Sequence, residues 1–363
     1  MPTRIEQLAA YMEQQGMDAA LITMPKHVYY LTGFASDPHE RFLGLLISRG
    51  AQPLLIVPAL DFEAAQAASS VKTIHTHTDT DNPYEVLSKL MPAGVRTLGL
   101  EKDYMTVSRF EAISQSVGAA VYADIDEPLR EMRVIKTADE VARMKHAVRI
   151  IEDVLRAGIA QVKPGVTEIE LVAELEYQMK KLGASGPSFS TMVLAGEKSA
   201  LPHGVPGSRE VRSGELLLFD LGVYADGYAS DITRTFAVGD ISEEQTRIYD
   251  SVLQANLRAI EATRPGATLA SLDRAAREHI TAAGYGPYFM HRLGHGLGMD
   301  VHEYPSVHGQ NQELLRSGMV FTIEPGIYVP GVGGVRIEDD VLVTDSGVEV
   351  LTSFPKELTV IGG

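Results

Sequence analysis

Cysteine and tryptophan are both missing from this 363-residue chain. Without cysteine there is no disulfide, no thiol nucleophile and no thiolate metal site, and the composition fits a reducing cytosol. Any metal must therefore be held by carboxylates and imidazoles. Positive charge is also short. The 32 Lys and Arg against 48 Asp and Glu leave a formal charge of −16, which disfavours binding to a phosphate backbone. Nor is there an apolar run long enough to span a bilayer, or a signal-peptide pattern at the start, where Arg4 and Glu6 interrupt the hydrophobics. A cytoplasmic protein with no nucleic-acid and no membrane partner is the expectation. The 45% hydrophobic and 22% charged residues are ordinary for a globular protein, and the length favours two domains.

The first part of the chain alternates helical and strand patterns. Ile5 to Gln15 has amphipathic spacing, and so has Val107 to Ser116, whereas Ala19 to Ile22, Leu43 to Ile47, Leu54 to Val57 and Thr97 to Leu100 are short apolar runs. This reads as an α/β domain over residues 1–126. Asp126, Glu127 and Pro128 break the pattern, so 127–136 is expected to be a linker. A second domain, 137–363, then opens on the capping box Thr137-Ala138-Asp139-Glu140, with a further box at Thr167-Glu168-Ile169-Glu170. Helical stretches follow around Glu243 to Thr263 and Leu269 to Ala283.

One segment of the second domain occurs twice. Ser213-Gly214-Glu215-Leu216-Leu217-Leu218-Phe219-Asp220-Leu221-Gly222-Val223-Tyr224 is matched by Ser317-Gly318-Met319-Val320-Phe321-Thr322-Ile323-Glu324-Pro325-Gly326-Ile327-Tyr328. Ser, Gly, an acid, Gly and Tyr coincide at a constant offset of 104 (317 minus 213). A glycine-bearing turn and a second acid follow each Tyr: Asp231 in the first copy, Glu338 in the second. Asp226-Gly227 is a two-residue hairpin signal. With it as the turn, residues whose numbers sum to 453 face each other, so Asp220 opposes Thr233 and Asp231 is its diagonal neighbour on the same face. The second turn, through Gly331, Gly333 and Gly334, is longer, and a bulge there would bring Glu324 and Glu338 to one face. An acid ending an apolar run is costly to bury unless it is paired or binds a metal. Four such acids predict a symmetric cage for hard cations. The plainer alternative is two amphipathic hairpins of incidentally similar sequence.

Histidine placement adds a nitrogen ligand. In His291-Arg292-Leu293-Gly294-His295-Gly296-Leu297-Gly298, glycines on both sides of His295 allow close backbone approach. Asp220, Asp231, His295, Glu324 and Glu338 together suit two divalent ions sharing bridging oxygens. With no thiolate, the N/O shell points to Mn first, then Co, Zn or Fe. His75, His77 and His308 read as solvated loop residues.

These residues resemble the dinuclear site of the pita-bread metallopeptidases, the group of methionine aminopeptidases, prolidases and aminopeptidase P. The resemblance covers nearly the whole chain. Its motifs are Leu201-Pro202-His203-Gly204, Asp220 with Ser230-Asp231-Ile232-Thr233-Arg234-Thr235, Gly294-His295-Gly296, and Gly334-Val335-Arg336-Ile337-Glu338-Asp339. The N-terminal domain, His302 and Arg336 place it in the proline-peptide branch. The resemblance implies an α/β N-terminal domain of creatinase type before an α+β pita-bread (creatinase/aminopeptidase) catalytic domain. The implied reaction is hydrolysis of the Xaa-Pro bond in dipeptides by a metal-bridging hydroxide, with aminopeptidase P activity on Xaa-Pro-Xaa peptides as the alternative. A non-catalytic peptide-binding protein of the same fold should have lost ligands, and here all five are present.

By the same resemblance Glu324 shuttles a proton to the leaving nitrogen and His302 helps stabilise the oxyanion. His203 joins Glu324 and His302 as a catalytic residue, and His203, His291 and His302 contact substrate, with a hydrogen-bonding place behind the contacts as the alternative for His291. Arg336 either grips a carboxylate with its planar fork or pairs with Glu338 or Asp339 and orients ligands. Some compact prolidases carry an Arg after a His-Glu-aromatic-Pro stretch, whereas His302-Glu303-Tyr304-Pro305 is followed here by Ser306. Selectivity for length is expected from N-terminal loops such as Phe34 to Phe42, and in this family such a lid can come from the partner subunit of a homodimer.

Overall fold

The computed structural model describes residues 2–362, and they fall into two compact units divided between Arg133 and Val134. In the first unit a six-stranded mixed sheet runs in the order Thr73–His77, Leu54–Pro58, Gly44–Ser48, Ala19–Ile22, Thr97–Leu100, Val121–Asp124. All four residues of Ala19–Ile22 are buried, which is what a central strand covered on both faces requires. The expected strands and the helices Arg4–Gln14 and Val107–Val117 are present within a residue or two at each end.

Two expectations for this unit fail. Where a linker over 127–136 is expected, a helix occupies Asp126–Val134. Pro128 sits in its first turn, where the missing N–H has no intrahelical partner to lose, and Leu129 is buried beneath it. His77 is no solvated loop residue either. It ends the strand Thr73–His77, is 4% exposed, and its Nε2 lies 2.8 Å from the Phe42 carbonyl oxygen, while His75 is half-buried in the same strand.

The second unit repeats one plan twice. The helices Ala138–Ile159 and Glu168–Lys181 each open on their expected capping box. They share an apolar core with the strand pair Glu215–Leu221 and Ile232–Val238, through Leu155, Leu171, Leu217, Phe219 and Phe236. The helices Glu243–Ala262 and Leu269–Ala282 do the same over Val320–Ile323 and Asp339–Val343, with Val252, Leu272, Phe321 and Val341.

Register follows from turn length. In the first hairpin every pair from Glu215↔Val238 to Leu221↔Ile232 sums to 453, with Asp220 opposite Thr233. The turn residues Asp226 and Gly227 both have positive φ, 50° and 79°, as a tight two-residue hairpin turn demands. In the second hairpin, Phe321↔Val341, Ile323↔Asp339, Gly326↔Arg336 and Val329↔Gly333 all share the sum 662. The bulge expected there does not exist. A three-residue turn centred on Gly331 (φ 78°) keeps one register throughout and leaves Glu324 opposite Glu338.

Arg234 ties the two hairpins together. Its guanidinium donates to the Asp339 carboxylate (2.8 Å), to the carbonyls of Thr233 (2.9 Å) and Phe354 (2.9 Å), and to the Glu338 carbonyl, at 1% exposure. Lys356 binds the other Asp339 oxygen at 2.6 Å. Removing one member of a buried, fully bonded pair leaves a charge without its partner. Arg234→Met should therefore cost about 3–5 kcal/mol of unfolding free energy. Denaturant titration of the two proteins checks it, and a loss under 1 kcal/mol would refute the anchoring role.

Candidate metal centre and active site

All five expected ligands line one cavity of about 270 Å³, together with His203, His291, His302, Arg292, Tyr328 and Arg336. Strand geometry delivers them. Asp220 lies within Glu215–Leu221 and Asp231 immediately precedes Ile232–Val238, whereas Glu324 follows Val320–Ile323 and Glu338 precedes Asp339–Val343. His295 is the middle residue of the short strand Gly294–Gly296. A Cβ at Gly294 would meet the Thr322 carbonyl oxygen at 1.9 Å, and one at Gly296 the Tyr304 carbonyl oxygen at 2.2 Å, so both glycines are needed for the approach.

Donor atoms of Asp231, His295 and Glu338 lie within 4.8 Å of one another. His295 Nε2 is also 3.3 Å from Glu324 Oε1. The His295 ring faces its carboxylates with a lone pair. Burial, then the nearby His302, push its pKa down to about 3, and Nδ1–H donates to the Gly296 carbonyl at 3.1 Å.

Three buried carboxylate oxygens in the cavity, Asp220 Oδ1, Asp231 Oδ1 and Glu338 Oε1, have no hydrogen-bond partner among the described residues. Burial and then mutual repulsion raise Asp231 and Glu338 well above the usual carboxylate range, and Glu324 is pushed up to about 7. Crowded, buried, unpartnered acids around a neutral imidazole form a donor set that a hard or borderline divalent cation satisfies. The residues present therefore fit the metal.

The pH dependence of the ion-free protein follows. Glu324 has a folded pKa near 7 against an ordinary 4.5, and Asp231 and Glu338 shift in the same direction. An acid whose folded pKa is raised contributes stability below its unfolded pKa and loses it as pH rises through the folded value. His291 and His295, lowered to about 4 and 3, act oppositely, but only below their ordinary 6.5. From about pH 6.5 to 8 the acids are unopposed, so the Tm of chelator-treated protein should fall across that range. Divalent metal should abolish the fall. A flat ion-free Tm would contradict the crowding.

Arg336 is engaged through all three of its nitrogens. Its Nη2 donates to Asp220 Oδ2, Nη1 to the Tyr328 hydroxyl (2.8 Å) and Nε to the Thr233 hydroxyl (3.1 Å), at 4% exposure. Its acid partner is thus Asp220, and neither Glu338 nor Asp339 as the sequence suggests; Asp339 belongs to Arg234 and Lys356. Both nitrogens of His291 are occupied too. Nδ1 donates to the Arg292 carbonyl (2.7 Å), and Nε2 accepts from the Tyr328 hydroxyl (2.9 Å). His302 is exposed, with its ring 4.1 Å from that of His295, centroid to centroid. His203 is exposed at the cavity wall.

Sequence reasoning missed four participants. Tyr328 joins His291 to Arg336, and its signal was its place in the duplicated segment. Thr233 donates to Glu338 Oε2 (2.6 Å), and Asp340 accepts from the Asp231 backbone N–H (3.2 Å). Arg292, beside the His295 loop, is the fourth.

The Metallopeptidase family M24 pattern matches residues 142–345, and the Creatinase/Prolidase N-terminal domain matches 4–135. The chain belongs to metallopeptidase family M24. A relative in Bacillus subtilis (strain 168), named "Putative dipeptidase YkvY", is 45% identical over 99% of both chains. Among solved structures similar to this M24 chain is the prolidase from Pyrococcus horikoshii OT3, at 37% identity and TM-score 0.91, covering 98% of this chain and 99% of that one. The Xaa-Pro dipeptidase from Bacillus anthracis superposes with TM-score 0.93 at 36% identity over 99% of both. The fold is therefore the creatinase-type N-terminal domain followed by the pita-bread domain of this family. No helix among the described residues is long and apolar enough to cross a membrane.

Proposed function

We propose that this M24 metallopeptidase hydrolyses the Xaa-Pro bond of dipeptides, releasing free proline. The observation that carries the reading is the five-residue cradle with its unpartnered carboxylate oxygens, set in a chain similar over almost its full length to a prolidase and an Xaa-Pro dipeptidase. Asp220, Asp231, His295, Glu324 and Glu338 would hold two divalent ions, Mn first among them. Ions bound there supply Lewis acidity and an acidified water at neutral pH.

The chain's own residues then divide the work. Glu324, at the edge of the cradle and lining the cavity, is placed to take up a proton and pass it to the leaving proline nitrogen. The His302 ring, beside His295 and open to the cavity, is placed to donate to the developing oxyanion. His203, exposed on the wall, contacts the peptide. His291 acts one step back, fixing Tyr328 and through it Arg336. Arg336 in turn fixes Asp220, and each of its three nitrogens already donates to a protein oxygen. A homodimer in the cytoplasm is part of the same reading.

The test is hydrolysis by stripped protein reloaded with Mn, Co, Zn or Fe, on Xaa-Pro dipeptides, Xaa-Pro-Xaa tripeptides and Xaa-Ala controls. Cleavage confined to Xaa-Pro dipeptides is expected. Efficient tripeptide cleavage would reassign the activity to aminopeptidase P, and silence with every loaded metal would favour a binding protein.

A further inference from the structure

A dipeptide differs from a longer peptide by its free carboxylate, which sits on the carbon next to the scissile nitrogen. A cation that reads it must therefore lie beside the metal cradle. Two guanidinium groups line the cavity, those of Arg336 and Arg292. Arg336 is buried, with Nε, Nη1 and Nη2 all donating to protein oxygens. Arg292 differs in each respect. It is exposed at the cavity wall, and among the described residues its side chain makes a single hydrogen bond, from Nη1 to the Ser306 hydroxyl at 3.1 Å. Its Nε and Nη2 are thus free to form a fork. No carboxylate pairs with it among the described residues.

Placement supports the same role. Arg292 follows His291 and precedes the Gly294–Gly296 strand that carries His295, so its backbone is fixed at the edge of the cradle. His291, next to it in sequence, offers no rival, since both its ring nitrogens are hydrogen-bonded within the protein. In a cavity lined by four acids an incoming carboxylate meets repulsion, and Arg292 is the exposed guanidinium that lines it.

We propose that Arg292 binds the free carboxylate of the C-terminal proline and thereby sets the preference for dipeptides. The proposal rests on the prolidase reading above, and its test separates the two. The Mn-loaded wild type and Arg292→Gln are compared on Ala-Pro and on Ala-Pro amide, which keeps the scissile bond but removes the charge. The wild type should favour the acid. In Arg292→Gln, kcat/KM for Ala-Pro should fall about 10- to 100-fold, mainly through KM, as expected for a lost charge-assisted pair. The amide should change by less than about 3-fold, since it never made that pair. The Ki of free proline should rise with the KM of Ala-Pro. Arg292→Lys, which keeps the charge but loses the fork, should fall between.

An unchanged acid-to-amide ratio in Arg292→Gln, with metal content and Tm equal to wild type, would overturn the assignment. So would equal losses on both substrates. Wild-type protein that cleaves neither would overturn the prolidase reading itself, and the assignment with it.

Discussion

Asp231→Asn and Glu338→Gln are each expected to lower kcat/KM on the order of 10³-fold, because each removes an anionic ligand from the metal cradle. Both side chains are isosteric with the originals, and both positions are almost fully buried, at 4% and 2% exposure. The same substitutions should raise the stability of the ion-free protein. Asp231 and Glu338 repel each other and Asp220 in a desolvated pocket, so neutralising one relieves that repulsion at neutral pH. Wild type should therefore gain more Tm from added Mn than either variant, while the variants start higher in chelator. Calorimetry with and without metal, alongside metal content by mass spectrometry, reads both effects. Full activity with metal retained would remove Asp231 or Glu338 from the ligand set. A lower ion-free Tm in both variants would show that the carboxylates stabilise the fold themselves.

This opposition of signs also explains how much of the site could be read from sequence. Acids that end apolar strands are conspicuous because burial makes them costly, so Asp220, Asp231, Glu324 and Glu338 stood out as a set. The Asp226-Gly227 turn is short enough to count register, and the observed partner of Asp220 is Thr233 as counted. The second turn carries three glycines, and counting through it was ambiguous; an unbroken register, with Glu324 opposite Glu338, replaced the expected bulge. Capping boxes at Thr137 and Thr167 marked their helices because the signal is local. The helix at Asp126–Val134 escaped because Pro128 reads as a breaker unless its position in the first turn is known.

Pairing between distant residues was the least legible. Nothing in the order of residues says that Arg336 reaches Asp220, 116 positions away, in preference to its neighbours Glu338 and Asp339. Its own side chain alternates along the strand Gly333–Arg336 and meets the face where Asp220 lies, whereas Asp339 is engaged by Arg234 and Lys356. His77 is a similar case. A His-Thr-His run looks polar and solvated, yet the strand buries one ring and gives it the Phe42 carbonyl as a partner.

Replacing Arg336 should separate orientation from substrate recognition. Arg336→Met leaves Asp220, Tyr328 and Thr233 without their donor in a buried site, and an uncompensated buried carboxylate costs about 3–5 kcal/mol. The guanidinium also lowers the pKa of Glu324 and Glu338, so its loss deepens the repulsion in the ion-free state. Lysine should not restore it, since one ammonium cannot reach three partners lying in different directions. Metal affinity should weaken about 10- to 100-fold, the usual effect of losing a group that orients a ligand. Discrimination between Ala-Pro and its amide should survive at saturating metal, because the free carboxylate is read by a different guanidinium. The two arginines thus give opposite signatures: Arg336 moves metal affinity and stability, Arg292 moves KM for the acid. If Arg336→Met kept its metal affinity and instead lost the acid preference, the carboxylate grip would belong to Arg336, and the bond to Asp220 would have to open when substrate binds.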